Sequence, residues 1–335
     1  MAAWRLSANN RSRDQLTDMV EERERRQERF RILVCINGTD SSYEGLNFAA
    51  EIGRGNPCDI ILLYVRRIDQ GLNSGGLQVR VARQNMLDWG LELPGIQYLR
   101  RGHEMLLDQG YMSGDWRSKQ SHTDIFGDPL GDNKIEYRSG RQKRIILKLK
   151  TASTVASGIL DQYELGPYNL IITGPPKRWR GEFKSFVEPS TVQKVAMLSP
   201  CSVLTVRNAL DDKQGFLICT DGTEHCTISM KQAAVLAHNL KRPLTIMSVA
   251  LDETQLPLIK RRLSTAKRQL KDMGIENVKT IAGTGDPVEE VLKIAAQYGV
   301  VVVADSGKSR IKRFLAGSVA FDIMGKAPIS VMNVR

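Results

Sequence analysis

The sequence predicts an α/β protein, built as two doubly wound five-stranded parallel-sheet domains in tandem. Two observations predict it. The 335-residue chain repeats itself: RILVCINGTDSS, beginning at Arg31, recurs as GFLICTDGTEHC, beginning at Gly215. SPCSVLTVR, ending at Arg207, recurs as APISVMNVR, ending at Arg335. Each copy also alternates short apolar runs with helix-length segments, the pattern of parallel strands joined by crossover helices. Asn37 and Asp221 hold matching places after the first run, and Pro200 and Pro328 matching places before the last. Between these markers copy one spans 163 residues and copy two 107, so copy one carries an insertion of about 56.

The elements follow in order. Residues 1–30 are polar, and LTDMVEERERRQERF has high helix propensity with mixed charge, which predicts a helical N-terminal arm. Copy one, 31–208, reads as the strand RILVCIN, a helix at 42–53, the strand DIILLYV, a helix near 94–109, the strand RIILKLK, a helix at 154–163, and the strands NLIITG and SVLTVR. Its insertion falls at about 70–142. Within it, GYMSGDWRSKQSHTDIFGDPLGDNKIEYRSG is rich in Gly, Ser and Asp and reads as a long surface loop, mobile or held by a partner. Copy two, 213–335, is the cleaner template. FLICTD is a buried strand, and Thr227–Leu240 a helix with Ile228, Ala233, Ala234, Val235 and Leu236 as its inner face. PLTIMSVA, a basic helix at 254–273, VKTIAG, a helix opened by Asp286-Pro287, VVVVAD, a helix from Gly317 to Met324 and ISVMNVR complete it.

Composition narrows the classes. With 41% hydrophobic residues and no apolar run near 18, nothing reads as a membrane span. MAAWRLSANNRSR lacks the apolar core of a secretory signal, and five cysteines without paired spacing fit a reducing compartment, so a cytoplasmic location is expected. Four histidines show no ligand spacing with cysteine. The net charge of +11 raises nucleic acid as a partner, but aromatics are only 6% and no stacking or zinc motif accompanies the basic runs.

The chemistry gathers after the strands of copy two. Ligands of open parallel sheets bind beyond the carboxyl ends of the strands, where strand order reverses. Asp221 ends the first strand there, with Gly222 and Thr223 turning the chain, and Val249 ends the second. After the fourth come Ala304-Asp305-Ser306-Gly307, nine residues, and Gly317-Ser318 at a helix start. Glycines allow close backbone approach to an anion, and a helix N-terminus favours phosphate. Lys308, Arg310, Lys312 and Arg313 add positive charge. Asp305 reads as a solvated or helix-capping acid, with a metal ligand as the other reading. Ser306-Gly307-Lys308-Ser309 is no Walker loop, because Val302 stands where that loop needs glycine. No nucleophile elbow and no Ser/His/Asp or Cys/His set is present.

With these residues the chain resembles a tandem universal stress protein over roughly 30–335. Many members of that family bind ATP through an Asp after the first strand and a G-x2-G-x9-G-[ST] loop after the fourth. Here Ala304 replaces the first glycine. The resemblance implies that Asp221 and the Val249 backbone hold adenosine, and that Gly307, Gly317, Ser318 and Val319 hold phosphates. Copy one departs further. Asn37 replaces the acid, eleven residues rather than nine follow Lys177, and Pro189-Ser190 puts proline where a backbone N–H is needed. It is expected to be a degenerate partner.

The expected function is non-catalytic binding of an adenine nucleotide, ATP (with Mg²⁺) or AMP, by the C-terminal domain of a stress-response regulator that acts through a protein partner. At most it is a slow ATPase. The alternative is a ligand-free interaction module that docks a larger assembly through the insertion and the arm. The resemblance also implies that the closing strands SVLTVR and SVMNVR pair, which makes the chain an internal pseudo-dimer; a homodimer is the other arrangement.

Overall fold

The computed structural model describes residues 29–55, 58–68, 94–125, 128–140, 143–162, 166–175, 190–207, 209, 214–304 and 319–335. The arm at 1–28, the first part of the insertion and the loops 176–189 and 305–318 lie outside them.

The N-terminal unit runs β1 (Phe30–Cys35), α1 (Asp40–Gly55), β2 (Cys58–Arg67), α2 (Pro94–Asp108), β3 (Trp116–Ile125), β4 (Asp128–Ser139), β5 (Arg144–Ala152), α3 (Val155–Leu160), β6 (Leu170–Thr173), α4 (Thr191–Leu198) and β7 (Ser202–Thr205). The C-terminal unit runs β8 (Phe216–Cys219), α5 (Glu224–Asn239), β9 (Leu244–Ala250), α6 (Leu256–Asp272), β10 (Lys279–Thr284), α7 (Pro287–Ala295), β11 (Val300–Ala304), α8 (Val319–Lys326) and β12 (Ser330–Val334). Local chemistry sets the helix starts. Thr223 caps α5 by accepting from Cys226 N, and Asp286 caps α7 by accepting from Glu289 N, with Pro287 in the first turn.

Each unit holds the five parallel strands the repeat predicts, in the order β5-β2-β1-β6-β7 and β10-β9-β8-β11-β12. The closing strands pair as expected: β7 runs antiparallel to β12, joining both units into one sheet of twelve strands among the described residues. One expectation needs correction. The stretch read as a loop holds a β-hairpin, β3–β4, that adds antiparallel to β5. Its polar composition hid it. Residues 117–123 of β3 are exposed on both faces of the strand, and the open edge of β5 supplies the backbone partners that local propensity does not.

The β7–β12 seam is two-fold in register. Leu204 lies opposite Met332, its own counterpart in the repeat, while Val203 faces Asn333 and Thr205 faces Val331. Arg207 N donates to Ser330 Oγ (3.1 Å) and Arg335 N to Ser202 Oγ (3.2 Å). Arg207 Nη2 donates to the Met324 carbonyl (2.7 Å), and Arg335 Nη2 to the matching Ala196 carbonyl (2.6 Å). Such self-complementarity is the signature of an isologous interface, here within one chain.

Helices cover both faces. On the face carrying α1, α2, α5 and α6, one core crosses the seam, and Phe48 of α1 meets Phe216 of β8 at 6.5 Å. Glu51 and Arg242 form an ion pair at 2.8 Å across the same junction. On the other face there are two cores, one under α7 and α8 that also takes in Ala196 of α4, the other under α3 and α4. The inner face of α5 also differs from expectation. Met230, Ala233, Ala234 and Ala237 are buried, whereas Ile228 is 52% and Val235 40% exposed. Ala233 and Ala234 are buried as expected, but small alanines and Met230 carry the contact to the sheet while Ile228 and Val235 sit outside.

Candidate functional site

Strand order reverses between β8 and β11, so a crevice opens beyond their carboxyl ends. Register brings the predicted residues of the C-terminal unit to it. Cys219 pairs with Met247, which sets Asp221 level with Val249. Val302 pairs with Ile218, which sets Ala304, the last residue of β11, at the same edge. Val319 opens α8. Asp221, Gly222, Thr223, Val249 and Ala304 thus gather at one end of the sheet. Gly307, Lys308, Gly317 and Ser318 lie outside the described residues.

The turn after β8 is held from within. Asp221 Oδ1 accepts from Thr223 N at 2.8 Å, and Gly222 takes φ +76°, a conformation that favours glycine. Burial alone would push the Asp221 carboxyl up. The hydrogen bonds it accepts, the Thr223 amide first, outweigh that and leave it below the usual carboxylate range. Asp221 is therefore an anion at neutral pH. Sequence reasoning missed one neighbour: Arg262, from the middle of α6, donates from Nη1 to the Asp221 carbonyl at 2.9 Å. A Cβ on Gly222 would lie 2.7 Å from Arg262 Cδ, so the arginine stem roofs the turn. No motif marks Arg262; only the packing of α6 brings it there.

The equivalent turn of the N-terminal unit keeps the backbone and loses the charge. Gly38 has φ +82°, matching Gly222. Asn37 Oδ1 accepts from Thr39 N (3.1 Å) and Thr39 Oγ1 (2.6 Å). Tyr98 replaces the arginine: a Cβ on Gly38 would lie 2.6 Å from its ring, which also packs on Tyr64 at 5.8 Å. At the start of α4, Ser190 Oγ accepts from Gln193 N (3.3 Å), and Gln193 Oε1 accepts from Ser190 N (2.9 Å). This capping box occupies two of the N–H groups that an anion would use. The cysteines at matching strand ends, Cys35 and Cys219, have thiols pushed up to about 12 by burial, which disfavours the thiolate.

Among the described residues, no cluster of three or more His, Cys, Asp or Glu side chains is placed to hold a metal, and no helix is long and apolar enough to cross a membrane.

Comparison with known proteins places this geometry. Residues 214–335 match the model of the universal stress protein family. No curated protein sequence matches the chain. Among solved structures, a universal stress protein from Archaeoglobus fulgidus DSM 4304 aligns over 91% of this chain and 96% of its own, at 15% identity and a TM-score of 0.56. A functionally unknown protein from Pseudomonas aeruginosa PAO1 aligns over 93% and 94%, at 16% identity and a TM-score of 0.51. At such identities the two structures speak to the fold, and they do so across both units. The family match thus lies on the C-terminal unit alone, while the fold of these solved structures extends over both units.

Proposed function

We propose that the C-terminal unit binds an adenine nucleotide and that the chain is a non-catalytic regulator acting through a protein partner. The observation that carries this reading is the position of Asp221. An ionised carboxylate stands at the carboxyl end of β8, level with Val249 and Ala304, at the crevice where strand order reverses. Asp221, Gly222, Thr223 and the Val249 backbone would take the adenosine. Ala304, Gly307, Lys308, Gly317, Ser318 and Val319 would take the phosphates. The ligand is ATP, accompanied by Mg²⁺, or AMP. No general base is assigned, so hydrolysis is at most slow.

The N-terminal unit supports the same division of labour. Its turn has a neutral Asn37 under Tyr98, and its helix start is closed by its own side chains. It serves as the partner fold of a pseudo-dimer rather than as a second ligand site. A ligand then regulates only if bound and free states differ in affinity for the partner.

The test is direct. The purified protein is denatured, the released nucleotide is identified by chromatography, and ATP and AMP are titrated by calorimetry. One nucleotide per chain is expected, with binding lost in Asp221→Ala and kept in Asn37→Ala. Absence of binding by the wild type, or equal binding by Asp221→Ala, overturns the reading.

A further inference from the structure

The insertion builds a second concavity that the C-terminal unit lacks. Helix α2 lies over β2 and β5, and the hairpin β3–β4 carries the sheet beyond it. Strands are spaced about 4.8 Å apart, so two extra strands widen the floor by about 10 Å, the diameter of a helix. A half-open cleft of about 800 Å³ results between α2 and the hairpin. Small-molecule sites typically measure about 300–1,000 Å³.

Its lining is amphipathic. Leu99 and Leu107 of α2, Ile135 of β4, and Leu147 and Leu149 of β5 supply an apolar floor and wall. Leu107 remains 46% exposed, which leaves apolar surface for a ligand to cover. The His103 ring stacks on Tyr137 at 4.4 Å and 18°, forming a flat wall. Among the described lining residues, Arg100 and Lys134 stand with the acid Glu104, two basic groups to one acidic.

We propose that this cleft binds an amphipathic organic anion, with an alkyl or aryl body on the leucine floor and a carboxylate-like head towards Arg100 and Lys134. Apolar lining with a few convergent polar groups is the usual construction of a ligand site. The cleft is separate from the Asp221 crevice, since it belongs to the N-terminal unit and to strands with no counterpart in the repeat. The proposal therefore stands apart from nucleotide binding.

The full-length protein is titrated with 8-anilinonaphthalene-1-sulfonate, followed by fluorescence, and the dye is displaced with decanoate and with decanol. Saturable binding is expected, with displacement by decanoate. Leu107→Glu, a change at a half-exposed position, should weaken dye and decanoate by at least about tenfold, or about 1.4 kcal/mol, with an unchanged circular dichroism spectrum. The double variant Arg100→Ala/Lys134→Ala should weaken decanoate and leave decanol unaltered. No saturable binding by the wild type overturns the proposal. So does unchanged affinity in folded Leu107→Glu, or equal loss of decanoate and decanol in the double variant.

Discussion

Arg335→Ala should destabilise the protein more than Arg207→Ala, although the two arginines are counterparts in the repeat. Arg335 Nη2 donates to the carbonyls of Ala196 (2.6 Å) and Met197 (3.0 Å). Hydrogen bonds from a charged donor contribute about 1.5–3 kcal/mol each, and partial exposure of the arginine brings the expected loss to about 3 kcal/mol. Arg207 makes one short bond to Met324 O (2.7 Å) and a marginal one to Gly325 O (3.5 Å). Its Nη1 is buried with no hydrogen-bond partner, and burial lowers its pKa, so truncation also relieves a desolvation cost. The net loss for Arg207→Ala is then about 1 kcal/mol. Urea unfolding followed by circular dichroism measures both, and a shifted midpoint at constant slope identifies a change in stability. The arginines sit at opposite ends of the seam, so the double variant should show the sum to within about 0.5 kcal/mol. Equal costs, or a larger cost for Arg207→Ala, would refute the reasoning from geometry and desolvation.

Three further outcomes follow from the same structure. Gly222→Ala and Gly38→Ala each force a left-handed residue, at about 1–2 kcal/mol; Gly38→Ala should be the costlier in thermal unfolding, because the packed Tyr98 ring yields less than the Arg262 stem. Asp221 has a folded pKa below its unfolded value, so its contribution is present above the ordinary carboxylate range and lost as pH falls through the folded pKa. The gap in unfolding free energy between wild type and Asp221→Asn should accordingly close on acidification, and a gap that widens instead would contradict the sign. Phe48→Ala removes a ring that joins the two units and should cost about 3–5 kcal/mol, read as one cooperative calorimetric transition at lower temperature.

The sequence by itself determined the repeat, the parallel strands and helices of both units, and the places of Asp221, Val249 and Ala304. Those features are local. Apolar runs such as VVVVA and FLIC must be buried wherever they lie, and Asp286-Pro287 starts a helix whatever it packs on. Asn37 facing Asp221 already showed that the copies had diverged.

What the tertiary structure alone decided is non-local. The hairpin β3–β4 was illegible because its residues are polar and its strand character comes from the edge of β5. On α5 the expected Ala233 and Ala234 are buried, but Ile228 and Val235 are not, because burial follows the sheet beneath Met230 and Ala237 rather than side-chain size. Arg262 and Tyr98 carry no motif, and each covers its own turn glycine, Gly222 or Gly38, only once α6 or α2 docks over it. The pairing of the closing strands was foreseeable from the family resemblance, but its register, with Leu204 opposite Met332 and each arginine on the other unit's helix end, needed both strands in place. Pattern reports what one segment must bury or cap, whereas pairing and roofing depend on which two segments the completed fold brings together.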